Sequence, residues 1–310
     1  MYIEQVNNKN FNPILYLPIP LGFLVLIIFN YFSSADLDSE KLIHSVIAQY
    51  GVNFTFVLLV APLSVACLIL WFWVKFVHQQ SIRSFTTSRK EVDWKRIFFS
   101  FSLWSFFIIG STLIAYYVQP EDFVLNFQLK PFLIFLVLAV LLIPLQTSFE
   151  EYLFRGYIMQ GLGVMTRSRL IPLITTSVLF GVMHIANPEV GKLGYIILIY
   201  YIGTGFFLGI LTLMDEGLEL ALGFHAANNL ITALLITSDW TAFQTHSIFK
   251  DISEPSAGFD IILPIFIIFP ILLFIFSKKY KWQNWTQKLT GKITNTTTNQ
   301  IHHDNASSNL

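Results

Sequence analysis

The chain has 310 residues, of which 54% are hydrophobic and only 12% charged, with 31 Phe. A soluble domain of this size carries about 25% charged residues, so the expected solvent is lipid rather than water. Lys and Arg number 19 and Asp and Glu 19, which leaves no net positive field to attract a nucleic acid.

The first twelve residues are polar, with Glu4, Gln5, Asn7, Asn8 and Lys9 among them. The apolar run behind them is followed by no small-residue cleavage pattern, so it reads as a first membrane anchor. A spanning helix needs roughly 20 apolar residues. Eight segments qualify in chain order: 13–32, 53–77, 95–118, 131–160, 170–187, 193–214, 218–237 and 258–277. The fold expected is therefore all-α, a polytopic membrane helix bundle with about eight transmembrane helices. The fourth segment is strongly apolar only to Leu145, then carries Glu150, Glu151 and Arg155 with no breaker before Gly161. Pro62, Pro144 and Pro172 read as local kinks. The single cysteine, Cys67, excludes an intrachain disulfide and reads as helix packing. Gly203, Gly205 and Gly209 read as a small-residue packing face.

Basic residues set the expected orientation. Arg83, Arg89, Lys90, Lys95 and Arg96 lie in or beside the 78–94 loop, Arg167 and Arg169 in the next basic turn, and Lys278, Lys279, Lys281 and Lys288 after the last span. The 33–51 and 119–129 loops are acidic by contrast, which puts both termini in the cytosol. The Met214–Gly217 turn falls on the same side. Trp282 and Trp285 fit an interfacial anchor. The Asn/Thr/Ser-rich residues from about Thr294 read as a disordered tail, and His302 and His303 as tail residues rather than ligands.

Ionisable groups inside a membrane are costly and point to function. Three clusters stand out. In Phe149–Arg155, Glu151 and Arg155 are four apart and can pair on one helical face. Glu150 is rotated about 100° away and has no obvious partner within its own helix. A partly desolvated carboxylate of that kind can act as a general base. The competing reading is a helix end protruding into the cytosol. In Phe180–His184 the two end residues share a face, and an antiparallel hairpin about Arg167 brings His184 to the depth of Glu150. In Phe224–Asn229, His225 and Asn229 share a face, beside Gly223, Ala226 and Ala227, whose small side chains permit close helix approach. Taken singly, these histidines and asparagines could be interhelical glue. Together they permit a Glu-activated water with imidazole or amide donors for an oxyanion, or a Zn²⁺ site on Glu150, His184 and His225 with an open water position.

Glu150-Glu151-Tyr152-Leu153-Phe154-Arg155 resembles the EExxxR motif of the CPBP intramembrane proteases, the group that includes type II CAAX prenyl endopeptidases and Abi-type bacteriocin-processing or immunity proteins. Phe180 to His184 resembles the group's FxxxH, and His225 to Asn229 its HxxxN, in the same order. The matched region is about 131–237, a third of the chain. The resemblance implies that Glu150 and His184 activate water and that His225 and Asn229 stabilise the oxyanion, with Glu151, Arg155 and Phe180 bracing the site. It favours a metal-free glutamate mechanism, with no cofactor, over the Zn²⁺ alternative. The implied substrate is a CAAX-type or leader/bacteriocin-type peptide or protein presented at the bilayer. The motifs of site-2, rhomboid and presenilin-type proteases are absent from the sequence. A non-catalytic scaffold or immunity protein of the same fold is the alternative, and a proton-coupled transporter is disfavoured by the lack of an internal repeat. The expected organisation is N-terminal spans over 1–130, a catalytic core over 131–237, a last loop, span and basic segment over 238–293, and a tail over 294–310. The Asn-, Ile- and Phe-rich composition points to an AT-rich bacterial genome, and so to a cytoplasmic membrane.

Overall fold

The computed structural model describes residues 1–6, 11–34 and 39–293. The tail from Thr294, with His302 and His303, lies outside the described residues. The helices are α1 (Pro18–Ser34), α2 (Ser39–Tyr50), α3 (Val52–Phe76), the short α4 (Ile82–Thr86) and α5 (Trp94–Val118). They continue with α6 (Leu129–Glu151), α7 (Met159–Thr166), α8 (Leu170–Val182), α9 (Pro188–Leu193), α10 (Ile197–Asp215) and α11 (Glu219–Leu235). The last three are α12 (Phe259–Leu263), α13 (Phe269–Tyr280) and α14 (Trp285–Thr290). Three short strands, β1 (Phe123–Leu125), β2 (Ile236–Thr237) and β3 (Phe249–Asp251), form one sheet in the order β1-β3-β2. This small sheet was not expected from the sequence.

The protein is an integral membrane helix bundle. Each of the eight expected segments coincides with a helix, but the expected count of spans is not reproduced. Among the described residues five helical stretches are long and apolar enough to cross a membrane: Val52–Phe76, Trp94–Val118, Leu129–Thr166, Ile197–Asp215 and Ile261–Tyr280. The Pro13–Phe29 run and α8 are shorter, and α11 has only 17 residues. Helix α11 sits among other helices, where short and polar segments are tolerated, whereas α8 buries one face and keeps an apolar face exposed. Two further expectations are corrected. The 33–51 loop contains α2, and the fifth segment ends at Val182 rather than continuing to 187.

Leu129–Thr166 is one continuous helix of 38 residues, about 57 Å at the helical rise and so longer than the hydrocarbon core of about 30 Å. Its middle, Tyr152–Ile158, is a π-helical segment. Helices α5 and α11 pack closely because Gly223 has no side chain: a Cβ there would lie 2.1 Å from the Ile97 carbonyl oxygen. The same device joins α10 to α8, where a Cβ on Gly205 would lie 2.6 Å from the Ser177 carbonyl oxygen.

One end of the bundle gathers the N-terminus, the 78–93 segment, the turns after α7 and α10, and the chain after α13. Tyr2 donates its backbone N–H to Glu216 Oε2 (2.6 Å) and its hydroxyl to the Phe85 carbonyl (2.7 Å). Ile293 N–H donates to the Arg167 carbonyl (3.0 Å). Arg89 pairs with Asp215 and Glu219, and Arg96 also pairs with Asp215. Residues 1–6 are thus a docked segment, with Tyr2, Ile3 and Val6 buried. Trp282, expected at the membrane interface, is buried and donates Nε1–H to Asp215 Oδ1 (3.2 Å). Trp285 remains partly exposed. The sheet, α2 and α9 lie at the opposite end, where Lys192 pairs with Glu40 (2.6 Å) and Lys250 with Asp239 (2.7 Å).

Candidate active site

Between these ends, α5, the α6–π–α7 helix, α8, α10 and α11 enclose a polar cluster inside an apolar core. The sequence breaks its apolar run here. Glu150 and Glu151 close α6, and the π turn begins at the next residue, carrying Arg155. Such π segments are rare and recur at functional sites.

Glu151 and Arg155 are both fully buried and form an ion pair at 3.1 Å, as their spacing predicts. Arg155 Nη2 also donates to the Gly205 carbonyl (3.1 Å), and its guanidinium lies 4.2 Å from the centre of the Phe180 ring. Gly205 therefore serves twice, admitting α8 and offering its carbonyl to the arginine. A buried arginine with one carboxylate, one carbonyl and one aromatic face has the partners that make burial tolerable.

His225 reaches both glutamates. Its Nδ1 donates to Glu151 Oε1 at 2.7 Å, and its Nε2 lies 3.8 Å from Glu150 Oε2. A carboxylate can only accept, so the proton belongs on Nδ1 and the Nε2 edge faces Glu150. Glu150 is corrected in one respect: it does have a partner in its own helix. Gln146, one turn earlier, donates Nε2–H to Glu150 Oε1. The same amide accepts at Oε1 from Asn229 Nδ2 (3.2 Å). Glu150 Oε2 is buried and has no hydrogen-bond partner. The signal for Gln146 was present in the sequence, since it stands four residues from Glu150, as Glu151 stands from Arg155.

His184 lies in the turn just beyond α8. Its Nδ1 donates to the Phe180 carbonyl (2.7 Å), and its ring stacks on Tyr201 at 4.3 Å and 13°. With the hydrogen on Nδ1, Nε2 keeps a lone pair. Among the described residues no hydrogen bond or ion pair joins His184 to Glu150. Phe180 stands between the two imidazoles, with ring centres 5.0 Å from His184 and 5.9 Å from His225. The expected convergence is thus close for Glu150, Glu151, Arg155, His225 and Asn229, and is made through an aromatic ring for His184. Tyr201, Asn228 and Trp104 are contacts that sequence reasoning did not single out as part of the site. The Zn²⁺ alternative requires three donors together. Among the described residues no three His, Cys, Asp or Glu side chains form such a group.

Residues 128–231 match a family model described as type II CAAX prenyl endopeptidase Rce1-like. The chain is also 33% identical over 168 residues to the "Uncharacterized protein YyaK" of Bacillus subtilis (strain 168), an alignment covering 54% of this chain and 56% of that relative. The chain thus spans little more than half the length of the curated relative it matches. No solved structure matches it. The matched segment holds Glu150, Glu151, Arg155, Phe180, His184, His225 and Asn229, so the resemblance carried by the three motifs stands, and it is to the Rce1-like type II CAAX prenyl endopeptidases that residues 128–231 are similar.

Proposed function

We propose that the protein is an intramembrane endopeptidase that hydrolyses a peptide bond with a water activated by Glu150. The observation that carries this reading is Glu150 Oε2, a buried carboxylate oxygen with no hydrogen-bond partner, 3.8 Å from an imidazole nitrogen. An unsatisfied polar atom inside an apolar bundle is expensive and calls for a partner. In this reading the hydrolytic water is that partner.

In the proposed reaction Glu150 Oε2 takes a proton from the water, and the resulting hydroxide attacks the scissile carbonyl carbon. His184, through its free Nε2, helps to orient that water. The carbonyl oxygen becomes an oxyanion that accepts from Asn229 Nδ2–H, and His225 adds a donor to it only as the imidazolium, with Nε2 protonated as well as Nδ1. The proton held by Glu150 passes to the leaving amine as the C–N bond breaks. Glu151 and Arg155 hold His225 and the π turn in place. The metal-free route is preferred because the motif resemblance implies it and because, among the described residues, no three His, Cys, Asp or Glu side chains form a group that could hold a metal.

The substrate class is a CAAX-type tail or a leader/bacteriocin-type peptide, presented by a peptide or protein at the bilayer. The likeness to a Bacillus protein favours the bacterial cytoplasmic membrane. The end that gathers Arg89, Arg167, Arg169 and Lys288 faces the cytosol in this reading, with both termini there. Residues 131–237 act as the catalytic core, 1–130 as supporting spans and 238–293 as a closing span with its basic segment. The test is turnover of a fluorogenic prenylated peptide or a candidate leader peptide by purified protein in detergent. Glu150→Ala and His184→Ala should each abolish cleavage while the protein stays folded, and retained cleavage in Glu150→Ala removes the mechanism.

A further inference from the structure

A chain of four hydrogen bonds runs into Glu150 from outside the family-matched segment. Trp104 Nε1 on α5 donates to Asn228 Oδ1 (3.1 Å), and Asn228 Nδ2 donates to Asn229 Oδ1 (3.1 Å). Asn229 Nδ2 donates to Gln146 Oε1 (3.2 Å), and Gln146 Nε2 donates to Glu150 Oε1. Three of these links are side-chain amides, whose oxygen and nitrogen could exchange places by a flip. The two ends of the chain forbid it. An indole N–H can only donate, so Asn228 must present oxygen to Trp104. Each following amide is then set in turn, nitrogen forward. At the far end an ionised carboxylate can only accept, and it meets a donor. Both ends demand the same direction.

We infer that Trp104, Asn228 and Gln146 are positioning residues that fix which oxygen of Glu150 does the chemistry. This rests on the reading of Glu150 as the base. Gln146 occupies Oε1, so Oε2 alone keeps its lone pairs for water, on the side of His225. The same chain turns Asn229 so that its Nδ2 points toward the reacting region, and that nitrogen has a second hydrogen beyond the one given to Gln146. Base and oxyanion amide are thereby oriented together. The source is rigid. Trp104 is buried, stacks on Phe107 (4.8 Å, 8°) and packs on Phe224 (4.5 Å). Trp104 also lies on the helix whose backbone approaches Gly223, so its distance to Asn228 is set by helix packing rather than by a loop.

The test is steady-state kinetics of the full chain in detergent on one cleavable peptide. Trp104→Phe keeps an aromatic ring and removes the N–H. Gln146→Met keeps the length and removes both amide contacts. Trp104→Phe should lower kcat about tenfold and Gln146→Met about a hundredfold, the scale of losing one hydrogen bond toward a charged group, each with KM unchanged. A purely structural role would not separate kcat from KM in this way. The double variant should be no slower than Gln146→Met alone, because both cut one chain. If Gln146→Met does not fold, Asn228→Leu takes its place in the cycle. Full kcat in Trp104→Phe, or losses that multiply, overturn the inference. An inactive Glu150→Gln beside a fully active Trp104→Phe removes this inference only, whereas an active Glu150→Gln removes the reading beneath it.

Discussion

His225 places its Nδ1 2.7 Å from Glu151 Oε1, so the second glutamate of the pair, not the first, holds the imidazole. Adjacent residues on a helix point about 100° apart, and here that rotation separates two tasks. Glu151 meets Arg155 and His225 with one oxygen. Glu150 turns instead toward Gln146 and the Nε2 edge of the same ring. One imidazole thus spans both carboxylates, and its tautomer follows from the Glu151 contact.

Breaking the Glu151–Arg155 pair from one side should be more damaging than removing both partners. Arg155→Met leaves Glu151 buried without its cation, and the loss of one partner of a buried pair costs about 3–5 kcal/mol. Thermal unfolding in detergent should show a large fall for Arg155→Met and a smaller one for Glu151→Gln/Arg155→Met. Strictly additive losses would contradict the pairing.

Glycine size matters unequally along the bundle. Gly223→Ala would push a methyl to 2.1 Å from the Ile97 carbonyl oxygen, which is backbone and cannot step aside. At Gly203 the nearest atoms belong to the Ile265 side chain, at 2.9 Å. Overpacking costs about 1–3 kcal/mol, so Gly223→Ala should lower the unfolding midpoint clearly and Gly203→Ala less. The reverse order would mean that α5 and α11 do not meet as described.

The packing of Leu15 and Tyr16 against His78 should weaken on mild acidification. His78 lies just beyond α3, with the Tyr16 ring tilted against it at 4.3 Å and the Tyr157 hydroxyl 2.9 Å from its Nε2. Burial lowers its pKa below the ordinary 6.5, partly offset by a hydrogen bond to the Leu15 backbone. The unfolded chain therefore takes up a proton before the folded one does. Stability from this site is complete above about 6.5 and falls as pH drops through that value toward the lower folded one. The unfolding midpoint, followed from pH 7.5 down to about 5.5, should decline in the native chain and decline less in His78→Gln. An equal decline in both would place the titration elsewhere.

How much of this was legible in the sequence depends on the range of the interactions. The bundle and the eight helical segments follow from hydropathy, which is local. The Glu151–Arg155 pair and the Phe180–His184 face follow from four-residue spacing. The partners of Asp215 do not, because Arg89, Arg96 and Trp282 come from distant segments and meet only when the helix ends assemble. Trp104 escaped for the same reason: on a helix rich in Phe and Trp its N–H has no visible purpose until α11 lies beside it. The end of α8 at Val182 was also hidden, since no Gly or Pro follows it before Pro188.

Metal removal separates two chemistries that use the same side chains. Nδ1 of His184 on a backbone carbonyl and Nδ1 of His225 on Glu151 leave both Nε2 atoms free for either route, and the proposed one uses only water and Glu150. Cleavage should survive exhaustive chelation. Loss of cleavage that Zn²⁺ restores would move the mechanism to the metal-bound alternative on Glu150, His184 and His225.

The most direct test is cleavage by Glu150→Gln, measured on protein whose folding is verified by an unchanged unfolding midpoint. The substituted amide keeps the size of the side chain and an oxygen able to accept from Gln146, and loses only the basic oxygen. The account predicts no turnover above the uncatalysed background. Turnover at the native rate would contradict it.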